Sequence, residues 1–185
     1  GGNRGGAHRH SGWGCWVRPR MPASLAEFLS PRKTDHTPYR LLVALDQVQD
    51  PQNVGAIFRS AAFFGVEGVL LLEDRQAPLT ATVYDVAAGG VDAVPFCLET
   101  NLTRALEQAK KADFWILGAS EHARDSLATI KADRDWLLVF GNEEKGIRRL
   151  IQETSDVLVK IPSRGKVTSL NISAAATCFL SRLRI

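Results

Sequence analysis

The sequence predicts an α/β fold: a mainly parallel sheet flanked by helices. Three observations carry that expectation. Short, near-continuous apolar runs recur along the chain, as in strands covered on both faces. Segments with a helical period lie between them. Three polar, glycine-containing loops each follow directly on one of these runs, where open α/β sheets bind ligands.

The apolar runs are LLVAL (41–45), GVLLL (68–72), VPFCL (94–98), FWILG (114–118), WLLVF (136–140) and VLVKI (157–161). Between the first two, VGAIFRSAAFFG (54–65) puts Val54, Ile57, Phe58, Ala61 and Phe64 on one helical stripe. NLTRALEQAKKA (101–112) has a cap residue in Asn101, and NISAAATCFLSRL (171–183) forms the last helix. Upstream, residues 1–22 are rich in Gly and Arg without hydrophobic period, and read as a disordered arm or a remnant of cloning or upstream translation. ASLAEFLS (23–30) reads as a short helix, and Pro31 and Pro38 bracket a linker. The expected division is a basic arm and linker over 1–39 and one folded domain over 40–185.

The 185 residues, 45% apolar and 23% charged, suit one soluble domain with a full core. No apolar run is long enough to span a bilayer, so no membrane partner is expected. Cys15, Cys97 and Cys178 are isolated and lack CxxC spacing, which argues against a disulfide framework and a zinc site. His8 and His10 read as a solvated tail, so no metal is expected, and the default setting is the reducing cytoplasm. Residues 1–40 hold seven Lys/Arg against two Asp/Glu, a balance of +5. Residues 41–185 hold 16 against 18, a balance of −2. Charge therefore gives only weak support for a nucleic-acid partner.

The first loop is DQVQDPQNVGAIFRSA (46–61). Either Asp50 caps its helix with Pro51 in first position, or Asn53 does. Arg59 falls opposite the apolar stripe, on the side of Gly55, which would let something approach the backbone closely. The second is VFGNEEKGIRRL (139–150). Gly141 permits a sharp turn, Asn142 and Glu143 present polar groups at the strand end, and Gly146 opens what reads as a helix with an acidic start. The third is IPSRGKVTSLNISAAA (161–176), where Pro162 ends the strand, Gly165 allows a turn, and Ser169 or Asn171 caps the final helix. No loop is a P-loop or a GxGxxG. His122 is the only histidine within 40–185, so a hydrolase triad is not expected. The residues alone gather Arg, Asn, Glu and Ser at one sheet edge without naming a ligand.

Together the loops resemble the SpoU (TrmH-like) branch of the SPOUT superfamily, the RNA ribose 2′-O-methyltransferases. Asn53, Gly55, Arg59, Ser60 and Ala61 match its N-x-G-x-x-x-R-[ST]-A motif. Gly141, Asn142, Glu143 and Gly146 match G-[NA]-E-x-x-G, and Ile161, Pro162, Gly165, Ser169, Leu170 and Asn171 match I-P-x-x-G-x-x-x-S-L-N. The resemblance implies a SPOUT domain with a C-terminal trefoil knot, working as a homodimer with the last helix in the interface. It implies S-adenosylmethionine as cofactor, lined by Gly118, Gly141, Ile161 and Leu170. It implies a catalytic set of Arg59, Asn53, Glu143, Ser169 and Asn171, with Arg59 anchoring phosphate and orienting the ribose hydroxyl. APLTATVYDVAAGGVDAVPF (77–96) is closer to rRNA guanosine methyltransferases, while the short N-terminal part is like the compact tRNA enzymes. rRNA is the expected substrate. The alternatives are tRNA, or a non-catalytic RNA- or cofactor-binding module of the same fold.

Overall fold

Leu41, Val43 and Leu45 pack into one core cluster while Leu42 and Ala44 pack into another, so the first strand is buried on both faces. That is the physical reason for its unbroken apolar run. The computed structural model describes residues 20–31, 37–75 and 77–185. Along the chain it forms α1 (Leu25–Leu29), β1 (Leu41–Asp46), α2 (Pro51–Phe63), β2 (Gly68–Leu72), α3 (Ala81–Ala87) and α4 (Gly90–Ala93). There follow β3 (Phe96–Glu99), α5 (Leu102–Lys111), β4 (Trp115–Ala119), β5 (Asp125–Ser126) and a 3₁₀ turn, Leu127–Thr129. The described chain closes with β6 (Trp136–Gly141), α6 (Arg149–Thr154), β7 (Val157–Lys160) and α7 (Ile172–Arg184).

The seven strands form one sheet in the order β3-β2-β1-β6-β4-β7-β5, and each strand pairing is parallel. The α/β class with a mainly parallel sheet is therefore the observed one. One face carries α2, α3 and α7 through Val54, Ile57, Phe58, Val83, Phe179 and Leu180. The other carries α1, α5 and α6 through Leu25, Phe28, Leu106, Ala109 and Ile151.

Several boundaries differ from the sequence reading. β3 begins at Phe96, because Pro95 has no N–H to give a ladder. α3, α4, α6 and the two-residue β5 carry too little period to be read from sequence. Asp50 rather than Asn53 caps α2, its carboxylate accepting from Gln52 N at 2.8 Å. Gly146 does not open a helix: α6 begins at Arg149, so the two acids of the second loop lie outside it.

The body also reaches upstream of residue 40. Ala23 N donates to Phe96 O at 2.7 Å, and Leu25 and Phe28 are buried. Arg40 holds the end of α1 by donating to the carbonyls of Ser30 and Phe28, and it pairs with Glu67 at 3.1 Å. The short helix expected over 23–30 is thus present as α1, packed on the domain instead of lying in a linker. Of the arm expected over 1–22, residues 1–19, with His8, His10 and Cys15, lie outside the described residues, as do residues 32–36, while Arg20 is described and donates to Val91 O at 3.4 Å.

Candidate active site

Strand register decides which loops meet. Asp46 at the end of β1 pairs with Gly141 at the end of β6, and Gly118 in β4 lies between Val139 and Leu158. The carboxyl ends of β1, β6, β4 and β7 therefore stand in a row, and all three motif loops leave from that row.

The β6–α6 turn folds back on itself. Asn142 N donates to Gly146 O at 3.1 Å and Gly146 N to Asn142 O at 2.9 Å, with Gly146 at φ +70°. The Asn142 side chain accepts from Glu144 N and Lys145 N, which fixes the tip. A Cβ on Gly141 would lie 2.2 Å from Gly146 C and Ile147 N. The glycine is required by the returning arm of its own turn.

This turn is fastened to the β1–α2 loop along its length. Asn142 Nδ2 donates to Gln47 O at 2.9 Å, with Gln47 itself in the left-handed region at φ 64°. The Glu143 carboxylate accepts from Asp50 N at 2.9 Å, from Gln49 N at 3.2 Å and from Asn53 Nδ2 at 3.4 Å. Partial burial alone would raise its pKa. The backbone N–H groups of Asp50, Glu143 and Gln49, with the Asn53 amide, outweigh that and hold it below the usual glutamate value. Glu143 thus serves as an anion set on the N-terminus of α2 from across the sheet edge.

The third loop joins through amides. Asn53 is buried, and its Oδ1 accepts from Asn171 Nδ2 at 3.1 Å. Asn171 Oδ1 in turn caps α7 by accepting from Ser173 N at 2.9 Å. Glu143, Asn53 and Asn171, one from each motif, form a continuous hydrogen-bonded chain. α7 then runs beside α2, with Ser60 Oγ and Thr177 Oγ1 2.8 Å apart.

Arg59 and Ser169 stay outside this chain. Arg59 is exposed on the outer face of α2, six residues and about 9 Å of helix beyond Asn53. It has no hydrogen-bond or ion-pair partner among the described residues. Ser169 is likewise exposed and unpartnered, on the loop after Ile161. Gly55 does admit a close neighbour, but the neighbour is α3: an added Cβ would lie 2.8 Å from Val83 O and from Val86 Cβ. Of the residues expected at a cofactor, Gly118 and Gly141 are at adjacent strand ends and Ile161 follows β7, half-buried against the core. Leu170 is 51% exposed beside Asn171.

Sequence reading missed Asp46, Arg148 and the anchoring role of Asn142. Asp46 is fully buried and bonded to Arg148. Its signal was a charged residue closing an otherwise apolar buried strand. Cys97 is buried, and burial with the nearby Glu99 charge pushes its thiol up to about 12, which disfavours the thiolate.

A parallel α/β domain whose three motif loops are joined at its carboxyl edge by a glutamate–asparagine–asparagine chain is what the fold and site define. Residues 40–181 match the model of the SpoU rRNA Methylase family, and the chain belongs to that family. It is 42% identical over 172 residues to the 23S rRNA (guanosine-2′-O-)-methyltransferase RlmB of Nitrosomonas europaea, covering 92% of this chain and 65% of that protein. Among solved structures it resembles the SpoU methyltransferase AviRb from Streptomyces viridochromogenes in complex with AdoMet. That likeness has a TM-score of 0.75 and 25% identity, over 88% of this chain and 62% of that one. It also resembles the A. aeolicus TrmH/SpoU tRNA modifying enzyme, with a TM-score of 0.70 and 27% identity, over 86% of this chain and 79% of that one. The chain spans under two thirds of the length of the RlmB relative.

Proposed function

We propose that this protein is an S-adenosylmethionine-dependent RNA 2′-O-ribose methyltransferase acting on a guanosine of 23S rRNA. The observation that carries the reading is the Glu143–Asn53–Asn171 chain, which joins the three motif loops at one sheet edge with Arg59 left unpaired beyond it. Relatives named for 23S rRNA guanosine methylation support the substrate, and the AdoMet-bound AviRb neighbour supports the cofactor.

The residues present fit that cofactor. Leu170 and Val167 leave apolar surface exposed on the loop that returns to Asn53, suited to an adenine face. Gly118, Gly141 and Ile161 stand at or just past neighbouring strand ends beside that loop. S-adenosylmethionine supplies the electrophilic methyl group. Arg59 carries five N–H donors in a planar fork and no acceptor, so it anchors phosphate and orients the ribose hydroxyl instead of acting as base. Glu143, whose Oε1 accepts from Gln49, Asp50 and Asn53, fixes the start of α2 and thereby the direction of Arg59. Ser169 offers a hydroxyl to the ribose.

The same proposal includes a homodimer built on α7, a C-terminal trefoil knot and a cytoplasmic setting without metal. These features rest on membership of the SpoU family. Among the described residues no helix is long and apolar enough to cross a membrane.

The test is transfer of labelled methyl groups from S-adenosylmethionine to separate pools of 23S rRNA and tRNA, with mapping of the modified nucleotide. Guanosine 2′-O-methylation in 23S rRNA is expected. Label confined to tRNA would replace the substrate, and absence of both transfer and cofactor binding would overturn the enzyme reading.

A further inference from the structure

Asp46 is the one buried carboxylate at the candidate site that the proposed chemistry leaves unused. It ends β1, is 0% exposed, and faces a single cation. Arg148 N donates to Oδ2 at 2.9 Å, Arg148 Nε donates to Oδ1 at 2.7 Å, and Nη2 lies 2.7 Å from the same oxygen. The three contacts reach both carboxylate oxygens from one residue. A buried carboxylate left without such partners would be strongly disfavoured, so Arg148 is bound to stay where Asp46 is.

The place of that contact gives it consequence. The chain leaves the sheet at Gly141, directly beside Asp46 in register, and turns at Asn142–Gly146. It returns to Asp46 at Arg148, just before α6. The Asp46–Arg148 pair therefore closes the base of the turn that carries Glu143. With the base closed, Ile147 N lies against Gly141, and Glu143 reaches the N–H groups of Gln49 and Asp50. With it open, the tip would keep the Asn142 contacts to Gln47, Glu144, Lys145 and Gly146 and the Glu143 contacts to the β1–α2 loop, but the returning arm at Arg148 would lose its tie to the end of β1.

We infer that Asp46 is a positioning residue which, through Arg148, sets the conformation of the turn after Gly141 and so tunes affinity for the adenosylmethionine cofactor. The cofactor part rests on the proposed function; the turn part does not. Asp46→Asn is the sharp variant, because it keeps size and shape but puts an N–H₂ group against the guanidinium or the Arg148 N–H, donor facing donor. Arg148→Lys is the second, since it keeps the charge but one ammonium cannot reproduce the Nε and Nη2 contacts.

The experiment measures amide hydrogen exchange across 142–148 and S-adenosylmethionine affinity by calorimetry, on full chain at a temperature where circular dichroism shows each variant folded. Exchange in the turn is expected to accelerate at least tenfold in both variants while the central amides of β1 and β6 stay protected. The cofactor dissociation constant is expected to rise at least tenfold. A variant that only melts earlier, with turn exchange and affinity unchanged while folded, overturns the inference. If Asp46→Asn does not fold, Arg148→Lys alone decides by the same two readouts. If the wild-type protein binds no S-adenosylmethionine, the proposed function fails, and turn exchange still decides the role of Asp46 in shaping the turn.

Discussion

Arg59 and Glu143 show how differently two motif residues are treated. Arg59 stands unpartnered in solvent, and an arginine so placed ordinarily tolerates exchange within about 0.5 kcal/mol of stability. If it holds phosphate and ribose together, lysine cannot replace its planar pair of donors. Arg59→Lys should therefore melt as wild type and bind S-adenosylmethionine normally, while single-turnover methyl transfer falls about 100-fold, roughly 2.7 kcal/mol of transition-state stabilisation. Retention of more than about a third of the rate would remove Arg59 from the site. Glu143 is the reverse case, its carboxylate bonded to Gln49, Asp50 and Asn53. Its pKa is lowered in the folded state, so it binds its proton less readily there than in the unfolded chain. Its contribution is then complete above the ordinary glutamate value of 4.5 and is lost as pH falls through its own lower value. Glu143→Gln should lower the melting temperature near pH 7, where an N-terminal acceptor is worth about 1 kcal/mol. Near pH 3 the gap between the two proteins should narrow. A gap that widens toward acid would contradict the lowered pKa.

At the level of elements, α2 is the part on which the site depends, and its packing is unforgiving. Gly55→Ala on an ordinary helix surface would stabilise by up to about 1 kcal/mol. Here the new methyl meets the carbonyl of Val83 at 2.8 Å, and backbone cannot step aside as a side chain can. The variant should lose about 1–3 kcal/mol, read as a drop in urea midpoint; equal or greater stability would mean α3 does not press on α2. This contact also shows what the sequence could and could not convey. Six of the seven strands were legible as short apolar runs, and α5 and α7 because Asn101 and Asn171 cap them. β5 escaped because two residues on a sheet edge carry no period. The family resemblance implied that Asn53, Glu143 and Asn171 act together, and hydrogen bonds link them in the structure. That Gly55 serves α3 and Gly141 serves its own turn was hidden, because a glycine's reason lies in a neighbour distant in sequence. Asp46 was hidden for the same reason: its partner is 102 positions away.

Across the whole molecule, the outer side of α2 and α7 remains to be accounted for. The two helices run side by side from the Asn53–Asn171 contact, through Ser60–Thr177, to Arg184, whose guanidinium donates to the carbonyls of Phe64 and Gly65. Their outward surface is small and weakly polar on α7, where Ala174, Thr177 and Cys178 are exposed. On α2 it includes Phe63, which is 82% exposed. Small residues let another backbone come close, and a bare phenylalanine leaves apolar area that association would cover. In the proposed dimer this face meets itself across a two-fold axis, so one substitution acts twice in each interface. Cys178→Arg adds a long cation at the centre of that face without touching a buried residue, since Cys178 is exposed in the protomer. Sedimentation equilibrium should find the wild-type chain dimeric at micromolar concentration. The variant should weaken the dimer at least 100-fold, about 2.7 kcal/mol, while far-UV dichroism stays unchanged. A wild-type chain that sediments as a monomer at that concentration, or a variant as dimeric as its parent, would place the two-fold elsewhere or remove it.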